Sequence, residues 1–159
     1  DRGFLSETYN SKELEKIGIN TKFVQENFSL SKSKNVFRGL HFQKSPHEQA
    51  KLIRVLSGSI LDIVVDLRKD SNSFLSHKTF KLSKNNFTQI YIPKGFAHGF
   101  LTLSSKTEIS YKTSDFYYPE LERSISWEDK SLKIKLPVKK TDLIISDKDK
   151  KALTVEEVI

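Results

Sequence analysis

Short runs of alternating apolar and polar residues fill most of the chain and predict a β-rich fold. These runs are rich in β-branched and aromatic residues and are separated by clusters of Gly, Pro, Asn, Ser and Lys. They cover residues 21–28, 35–42, 51–57, 59–67, 77–83, 87–93, 99–104, 107–114 and 124–129. Because closely spaced strands follow one another without intervening helices, the pattern indicates an antiparallel sandwich or barrel.

One short helix is predicted at residues 11–17, before the first strand. Asn10 can cap it, Glu13 lies three positions further on, and Gly18 follows as a stop signal. The rest of the chain contains no linker, repeat or low-complexity stretch, so we expect a single domain over residues 1–159.

The run at residues 59–67 has two different faces. One face carries Leu61, Ile63, Val65 and Leu67, and the other carries Asp62, Val64 and Asp66. Two carboxylates on one face of a strand need polar partners or water. Either a polar, ligand-binding barrel interior or a solvated outer face would satisfy them.

The composition narrows the class of protein. The chain has no cysteine, which excludes disulfides, thiolate nucleophiles and cysteine-based zinc sites, and a reducing cytoplasm is the natural setting. No run of apolar residues is long enough to span a membrane, and no leader pattern is present. The sequence begins at Asp1 instead of methionine, so we expect some N-terminal residues to be missing.

The net charge of +7, from 27 basic and 20 acidic residues, is compatible with nucleic acid or a phosphate-bearing ligand. The densest group of lysines, in residues 130–151, is interleaved with acids and lacks stacking aromatics. That pattern is typical of a solvated surface. We therefore expect no nucleic-acid partner and a functional role for only a few isolated cations.

The histidines suggest a site without a metal ion. The spacing Pro93-x-Gly95-x-x-His98 resembles the second motif of the cupin superfamily, in which an antiparallel jelly-roll barrel holds an inward histidine. Metal-binding cupins also have a His-x-His motif, which is absent here. His41 and His47 are six positions apart, which suits neither a strand nor a helix pair of ligands.

His41 is the stronger candidate for catalysis. The run "FRGLHFQ" brings Arg38, His41 and Gln43 into one predicted strand, with His41 and Gln43 on the same face, and Lys51 opens the next strand. A base, a cation and polar groups that converge in a barrel mouth suit an enzyme that forms an enolate.

Several longer segments now show a specific resemblance. "FVQENFS", "RGLHFQ", "QAKLIRVLSGSILDIVVDLRKDS", "IPKGFAHGF", "SYKTSDFYYPELERSISWED" and "ISDKD" occur in the order and spacing of the dTDP-4-dehydrorhamnose 3,5-epimerase family. The sequence is similar to this family from Asp1 to about Asp149. The resemblance implies an all-β, cupin-type antiparallel jelly-roll barrel with short peripheral helices, a homodimer, a dTDP-linked 4-keto sugar as substrate, and no cofactor or metal.

The resemblance also implies roles for individual residues. His41 matches the family's base, Tyr111 its acid, and Lys51 the lysine that holds the enolate. Asp149 matches the carboxylate paired with His41, although Asp147 lies close enough in sequence to be the alternative. The expected substrate-binding residues are Arg38 at the diphosphate, Gln25 and Asn27 at the nucleotide, Arg2 and Glu7 at the base across the dimer, and His98, Asp62 and Tyr117 around the sugar.

The residues leave some alternatives open. Tyr111 could be a half-buried strand aromatic, and Arg38 could form a surface ion pair. The loop "SLSKSKNV" is one residue longer than is usual in the family, and Asn35 stands at its common glycine. Rival functions are epimerisation at C3 or C5 alone, 3,4-ketoisomerisation of a related sugar, a sugar-nucleotide-binding cupin without turnover, and a metal-dependent cupin oxygenase.

Overall fold

Two β-sheets face each other and enclose a barrel in the computed structural model, which describes residues 1–159. The four-stranded sheet has the order β1-β8-β3-β6, and the six-stranded sheet has the order β10-β2-β7-β4-β5, with β9 also paired to β2. All pairings are antiparallel except that of β10 with β2. The expected cupin-type jelly roll is confirmed.

The strands are β1 (Gln25–Ser31), β2 (Val36–Gln43), β3 (Lys51–Ser57), β4 (Ser59–Asp66), β5 (His77–Ser83), β6 (Gln89–Ile92), β7 (Phe96–Thr102), β8 (Thr107–Thr113), β9 (Glu122–Ser124) and β10 (Ile144–Ile145). The helices are α1 (Ser11–Lys16), α2 (Asp147–Lys150) and α3 (Val155–Val158), with 3₁₀ turns at Pro119–Leu121 and Lys140–Asp142. None of the helices is long and apolar enough to cross a membrane.

Helix α1 forms nearly where the sequence predicts it. The Asn10 side chain accepts a hydrogen bond from the Lys12 amide at 3.0 Å, which satisfies one of the free N–H groups of the first turn. Glu13 does not complete a capping box and instead pairs with Lys16 at 2.6 Å. Gly18 follows with a φ of 84°, the left-handed conformation that commonly ends a helix.

The prediction of a strand at residues 124–129 is wrong. The strand there, β9, ends at Ser124, and the chain then turns through hydrogen bonds from the Asp129 amide to the Ser126 carbonyl and from the Leu132 amide to the Asp129 carbonyl. The Asp129 carboxylate also accepts from the Ser131 amide at 2.8 Å. Aspartate favours turns because its side chain bonds to nearby backbone, and here that preference outweighs the apolar alternation.

One apolar core lies between the two sheets, and a second covers the outer face of the six-stranded sheet. The inner core consists of Ile53, Val55, Ile60, Val64, Leu82, Ile92, Phe100 and Ile109. The outer core joins sheet residues such as Phe37, Ile63 and Leu101 to the C-terminal segment, which contributes Ile125, Leu132, Ile134, Val155 and Val158. The central strands β2, β7 and β4 of the six-stranded sheet are therefore buried on both faces.

The two carboxylates of β4 are both buried, so the interpretation of a solvated face is wrong. Asp62 is 0% exposed and faces the barrel interior, where it contacts His98. Asp66 lies at the end of the strand and accepts hydrogen bonds from Arg68, Ser71 and Ser73. These bonds, led by the one from Arg68, hold the Asp66 pKa well below its usual range.

A close contact between two glycines shapes β2. A Cβ on Gly39 would lie 2.5 Å from the Gly99 Cα, and a Cβ on Gly99 would lie 2.7 Å from the Arg38 carbonyl oxygen. The register between β2 and β7 shifts at this point, between Arg38 and His41. The irregularity allows Arg38 and His41, three positions apart, to face the same cavity.

We expect Gly99→Ala to disturb this arrangement. The added methyl group would be pressed against backbone and against a Leu40 methyl group at 3.0 Å, and overpacking of this kind costs roughly 1–3 kcal/mol. Urea unfolding should show that loss, and kcat should fall because Arg38 and His41 are displaced. In the control Gly18→Ala, the Cβ meets nothing within 4 Å; kcat should stay unchanged. Normal stability and kcat in Gly99→Ala would contradict the proposed packing.

The longer loop before β2 still joins the sheet. Asn35 has a φ of 63°, in the left-handed region where glycine is preferred and asparagine is the best tolerated substitute. Its amide donates to the Thr102 carbonyl, and its carbonyl accepts from the Ile144 amide, both at 2.9 Å. Asn35 thus adopts a conformation that glycine favours without loss of the backbone pairing.

Candidate active site

A mostly polar cavity of about 450 Å³ opens between the two sheets. The six-stranded sheet contributes His41 and His98, and the four-stranded sheet contributes Tyr111 and Lys51. Side chains near the C-terminus, including Asp149, close one side of the cavity. The cavity therefore combines groups that are distant in the sequence but converge because the two sheets face each other.

His41 and Asp149 form a hydrogen-bonded pair. The His41 Nε2 lies 2.6 Å from the Asp149 Oδ1, and the side chain of Asp149 is only 4% exposed. The Gly39 amide donates to its other carboxylate oxygen at 3.4 Å. Burial would raise the Asp149 pKa, but the hydrogen bond and charge interaction with His41 outweigh it, so the pKa is lowered.

Asp147, the alternative partner of His41 in the sequence, points to solvent. Its side chain is 91% exposed and pairs with Lys150 at 3.2 Å. Both aspartates belong to α2, and the Ser146 hydroxyl caps this helix by accepting from the Asp149 amide at 3.1 Å. The orientation of one short helical turn thus decides which carboxylate reaches His41.

Tyr111 and Lys51 lie on the wall that faces His41. They belong to neighbouring strands, β8 and β3, in which Tyr111 pairs with Ile53 and Lys51 with Thr113. Burial, followed by the charge of Glu122, raises the Tyr111 pKa, so the phenol stays protonated near neutral pH. Burial lowers the Lys51 pKa to about 8, against the opposing charges of Glu122 and Asp62.

His98 lines the cavity, with Asp62 directly behind it. The His98 Nε2 lies 2.8 Å from the Asp62 Oδ2. Asp62 is not part of the cavity wall, so the expectation that it lines the sugar pocket needs correction. Strand alternation points Asp62 inward, and the His98 ring on the neighbouring strand β7 then covers it. Asp62 can influence the cavity only through His98 and through its charge.

Arg38, Gln25 and Asn27 also line the cavity, and Asn27 is the register partner of Tyr111 in the pairing of β1 with β8. The Arg38 Nε donates to the Ser31 hydroxyl at 3.3 Å, while its side chain remains exposed to the cavity. The Gln25 amide donates to the Asn27 side chain at 3.0 Å. A guanidinium beside two amide side chains offers the donors that a diphosphate and a nucleotide require.

The sequence analysis missed two charged residues in the cavity wall, Glu122 and Lys148. Glu122 accepts from the Tyr117 hydroxyl at 2.7 Å and also contacts the Lys148 ammonium. Burial would raise the Glu122 pKa, but these two hydrogen bonds outweigh it, so the pKa is lowered. The hydrogen bond to Glu122 in turn raises the Tyr117 pKa to about 12. No periodic or motif signal in the sequence singles out either residue.

Arg2 and Glu7 do not reach the cavity of their own chain. Both are exposed, and the Glu7 carboxylate accepts from the Asn10 side chain at 3.0 Å. The structure also contains no group of three or more His, Cys, Asp or Glu side chains that could hold a metal ion.

A jelly roll that presents a histidine and a tyrosine on facing walls of one polar cavity has the architecture of a cupin-type sugar-nucleotide epimerase. The sequence also matches one particular epimerase family. The family model described as dTDP-4-dehydrorhamnose 3,5-epimerase matches residues 1–157. The chain belongs to the dTDP-4-dehydrorhamnose 3,5-epimerase family, and the resemblance seen in the sequence is confirmed.

Individual relatives agree with this assignment. The chain is 46% identical to the dTDP-4-dehydrorhamnose 3,5-epimerase of Escherichia coli K12, with alignment of 100% of this chain and 85% of the relative. A crystal structure of the Bacillus anthracis enzyme with TDP and PPi bound is 46% identical, with a TM-score of 0.94 over 97% of this chain and 87% of that chain. The crystal structure of the Legionella pneumophila enzyme in complex with dTDP-4-keto-L-rhamnose is 42% identical. Its TM-score is 0.94, and the match covers 100% of this chain and 84% of that chain.

Proposed function

We propose that this protein converts dTDP-4-keto-6-deoxy-D-glucose to dTDP-4-keto-L-rhamnose by inverting C3 and C5, as a step in dTDP-L-rhamnose synthesis. The observation that carries the proposal is the placement of His41 and Tyr111 on opposite sheets of one cavity. Inversion at a carbon requires that a proton leave from one face and return to the other. A base and an acid on facing walls meet that requirement.

His41 is the proposed base. The ketone at C4 acidifies the hydrogens on C3 and C5, and His41 takes such a proton while the C–H electrons move into an enolate. Its hydrogen bond to Asp149 fixes the orientation of the ring and stabilises the imidazolium that forms. Tyr111, protonated because its pKa is raised, then donates a proton to the same carbon from the opposite face.

Lys51 is the proposed partner of the enolate oxygen. Its ammonium lies on the same wall as Tyr111, where it can neutralise the charge that develops at the former ketone. A well-placed donor of this kind contributes roughly 3–4 kcal/mol to transition-state stabilisation. Arg38, Gln25 and Asn27 would bind the nucleotide diphosphate, while His98 and Tyr117 would enclose the sugar ring.

The lowered Lys51 pKa predicts an alkaline limit to activity. Lys51 must be a cation to stabilise the enolate, so kcat/KM should fall as the pH rises above about 8. Lys51→Arg should lose much of its activity but keep the residual kcat/KM constant to roughly pH 10, because a guanidinium stays protonated there. A pH–rate profile checks both forms. An identical alkaline limb in the two proteins would assign it to another group.

Solvent deuterium provides the direct test of the function. The protein is incubated with dTDP-4-keto-6-deoxyglucose in deuterated water, and NMR then locates the deuterium in the product. We expect deuterium at both C3 and C5, with the L-configured sugar formed. Deuterium at one carbon alone would indicate a monoepimerase. Absence of any incorporation would contradict the proposal.

A homodimer is part of the same proposal. Strand β1 is an edge of the four-stranded sheet, and Phe28 on its outer face is 63% exposed. The N-terminal segment also carries two apolar side chains open to solvent, Phe4 at 77% and Leu5 at 100% exposed. A second copy would cover this surface and could receive Arg2 and Glu7 at its nucleotide site.

Light scattering at micromolar concentration should therefore report about twice the mass of the chain. Phe28→Glu should weaken the dimer because it would bury a charge without a partner. Phe80→Glu, at a phenylalanine of β5 that is 40% exposed, serves as the surface control. A monomeric wild-type protein would contradict the dimer proposal.

A further inference from the structure

Glutamine side chains hold the segment that carries Tyr117. This segment, residues 114–118, follows the end of β8 and precedes a 3₁₀ turn, so most of its backbone groups lack partners in a sheet. Such groups need other hydrogen bonds when they are shielded from water. Three glutamines on different strands and loops supply them.

Gln43 makes the central contacts. It is 5% exposed, and its Oε1 accepts from the Tyr118 amide at 2.9 Å. Its Nε2 donates to the Phe116 carbonyl at 3.0 Å and also to the His47 carbonyl. Only a carboxamide side chain can accept at one end and donate at the other in this way. Gln43 is thus hydrogen-bonded to the backbone on both sides of Tyr117.

The other two glutamines, Gln49 and Gln25, also form hydrogen bonds with the backbone of this segment. The Gln49 Nε2 donates to the Asp115 carbonyl at 2.9 Å and to the Phe116 carbonyl at 3.0 Å. The Gln25 Oε1 accepts from the Tyr117 amide at 3.2 Å. The backbone around Tyr117 is therefore tied to side chains from three separate parts of the chain.

The side chain of Tyr117 is linked back to the same strand pair. Its hydroxyl donates to Glu122 at 2.7 Å, and Glu122 is the register partner of Gln43 in the pairing of β2 with β9. Gln43 also lies two positions after His41 on β2. One short stretch of β2 thus carries the proposed base and the side chain that holds the opposite rim of the sugar pocket.

We infer that Gln43 and Gln49 are positioning residues that set the place of Tyr117 relative to His41, and so fix the sugar ring for protonation from the second face. The inference rests on the proposed function. Gln43 is not part of the cavity wall and would act through Tyr117, which encloses the ring. Gln49 lines the cavity in addition to holding this segment. A displacement of about 1 Å in such a wall can lower a rate by about 10²-fold.

A double-mutant cycle between Gln43→Met and Tyr117→Ala tests this inference. Gln43→Met is nearly isosteric but loses both the donor and the acceptor. We expect it to lower kcat by roughly 10–100-fold and to leave the Kd for dTDP within about twofold, because Gln43 forms no hydrogen bond to Arg38 or Asn27. In the Tyr117→Ala background, the same substitution should have almost no further effect on kcat.

The control is Gln89→Met, which removes an exposed glutamine on β6 that donates to the Thr8 carbonyl. It should leave kcat and the dTDP affinity unchanged. If Gln43→Met does not fold, Gln49→Met takes its place in the cycle, since it loses only two hydrogen bonds to carbonyls. Additive effects of the glutamine and Tyr117 substitutions would overturn the inference.

Amide hydrogen exchange separates this inference from the proposed function. The Tyr118 amide should exchange at least about tenfold faster in Gln43→Met than in the wild type or in Gln89→Met, because its acceptor is gone. This measurement needs no turnover. Unchanged exchange would overturn the inference even in an active epimerase, whereas an inactive wild type with the expected exchange would overturn only the proposed function.

Discussion

His41→Ala is expected to abolish both epimerisation and the exchange of substrate hydrogens with solvent. His41 is the imidazole paired with a buried carboxylate in the cavity, and removing it takes away the proposed acceptor of the C3 and C5 protons. The rate of both processes should fall by at least roughly 10²–10⁴-fold, the range for a lost general base. NMR in deuterated water measures exchange and inversion in the same sample.

His77→Ala is the matched control, because His77 lies on β5 outside the cavity. It should retain normal exchange and inversion. Circular dichroism and dTDP binding should show that the His41→Ala protein is folded and still binds nucleotide. Persistent deuterium incorporation in His41→Ala would assign the base to another residue, with His98 as the first candidate.

Tyr111→Phe is expected to separate exchange from inversion. The base remains intact, so the enolate still forms, but the phenol that faces it from the four-stranded sheet is gone. The proton or deuteron then returns from His41 to the original face. Deuterium should therefore enter the substrate while net inversion falls by roughly 10²–10⁴-fold. Time-resolved NMR of the starting sugar and of the product measures both rates.

Tyr117→Phe is the informative comparison. Tyr117 also borders the cavity, but its hydroxyl donates a hydrogen bond to Glu122. We expect a smaller loss of inversion from this change than from Tyr111→Phe. If Tyr111→Phe inverted the substrate at the normal rate, the donor would have to be water or Tyr117, and the assignment of Tyr111 would be wrong.

Local pattern was sufficient to predict much of the barrel. The boundaries of β3 and β5 agree with the predicted runs because each run contains β-branched or aromatic residues and is followed by turn residues, Gly58 after β3 and Asn85 after β5. The C-terminal segment was harder. Ile125, Leu132, Ile134 and Val155 are buried against the outside of a sheet, but their spacing follows that surface and has no helical or strand period.

Some residues of the active site could likewise be predicted from the sequence, and others could not. The motif around His41 and the strand containing Tyr111 could be found in the sequence, but the difference between Asp147 and Asp149 depends on how α2 is oriented. Glu122 and Lys148 enter the cavity because β9 pairs with β2 and α2 packs nearby. Such convergence is decided by tertiary structure, so sequence spacing alone could not predict it.

The burial of the central strands of the six-stranded sheet on both faces has a consequence for how the protein tolerates sequence variation. In most two-layer β proteins, the outward positions of a strand accept polar residues freely. On β4 that freedom is missing, because Ile63 and Val65 are 0% exposed beneath the C-terminal segment. A library randomised at these two positions should retain almost only apolar variants, whereas one randomised at the exposed position Lys81 on β5 should retain many residue types.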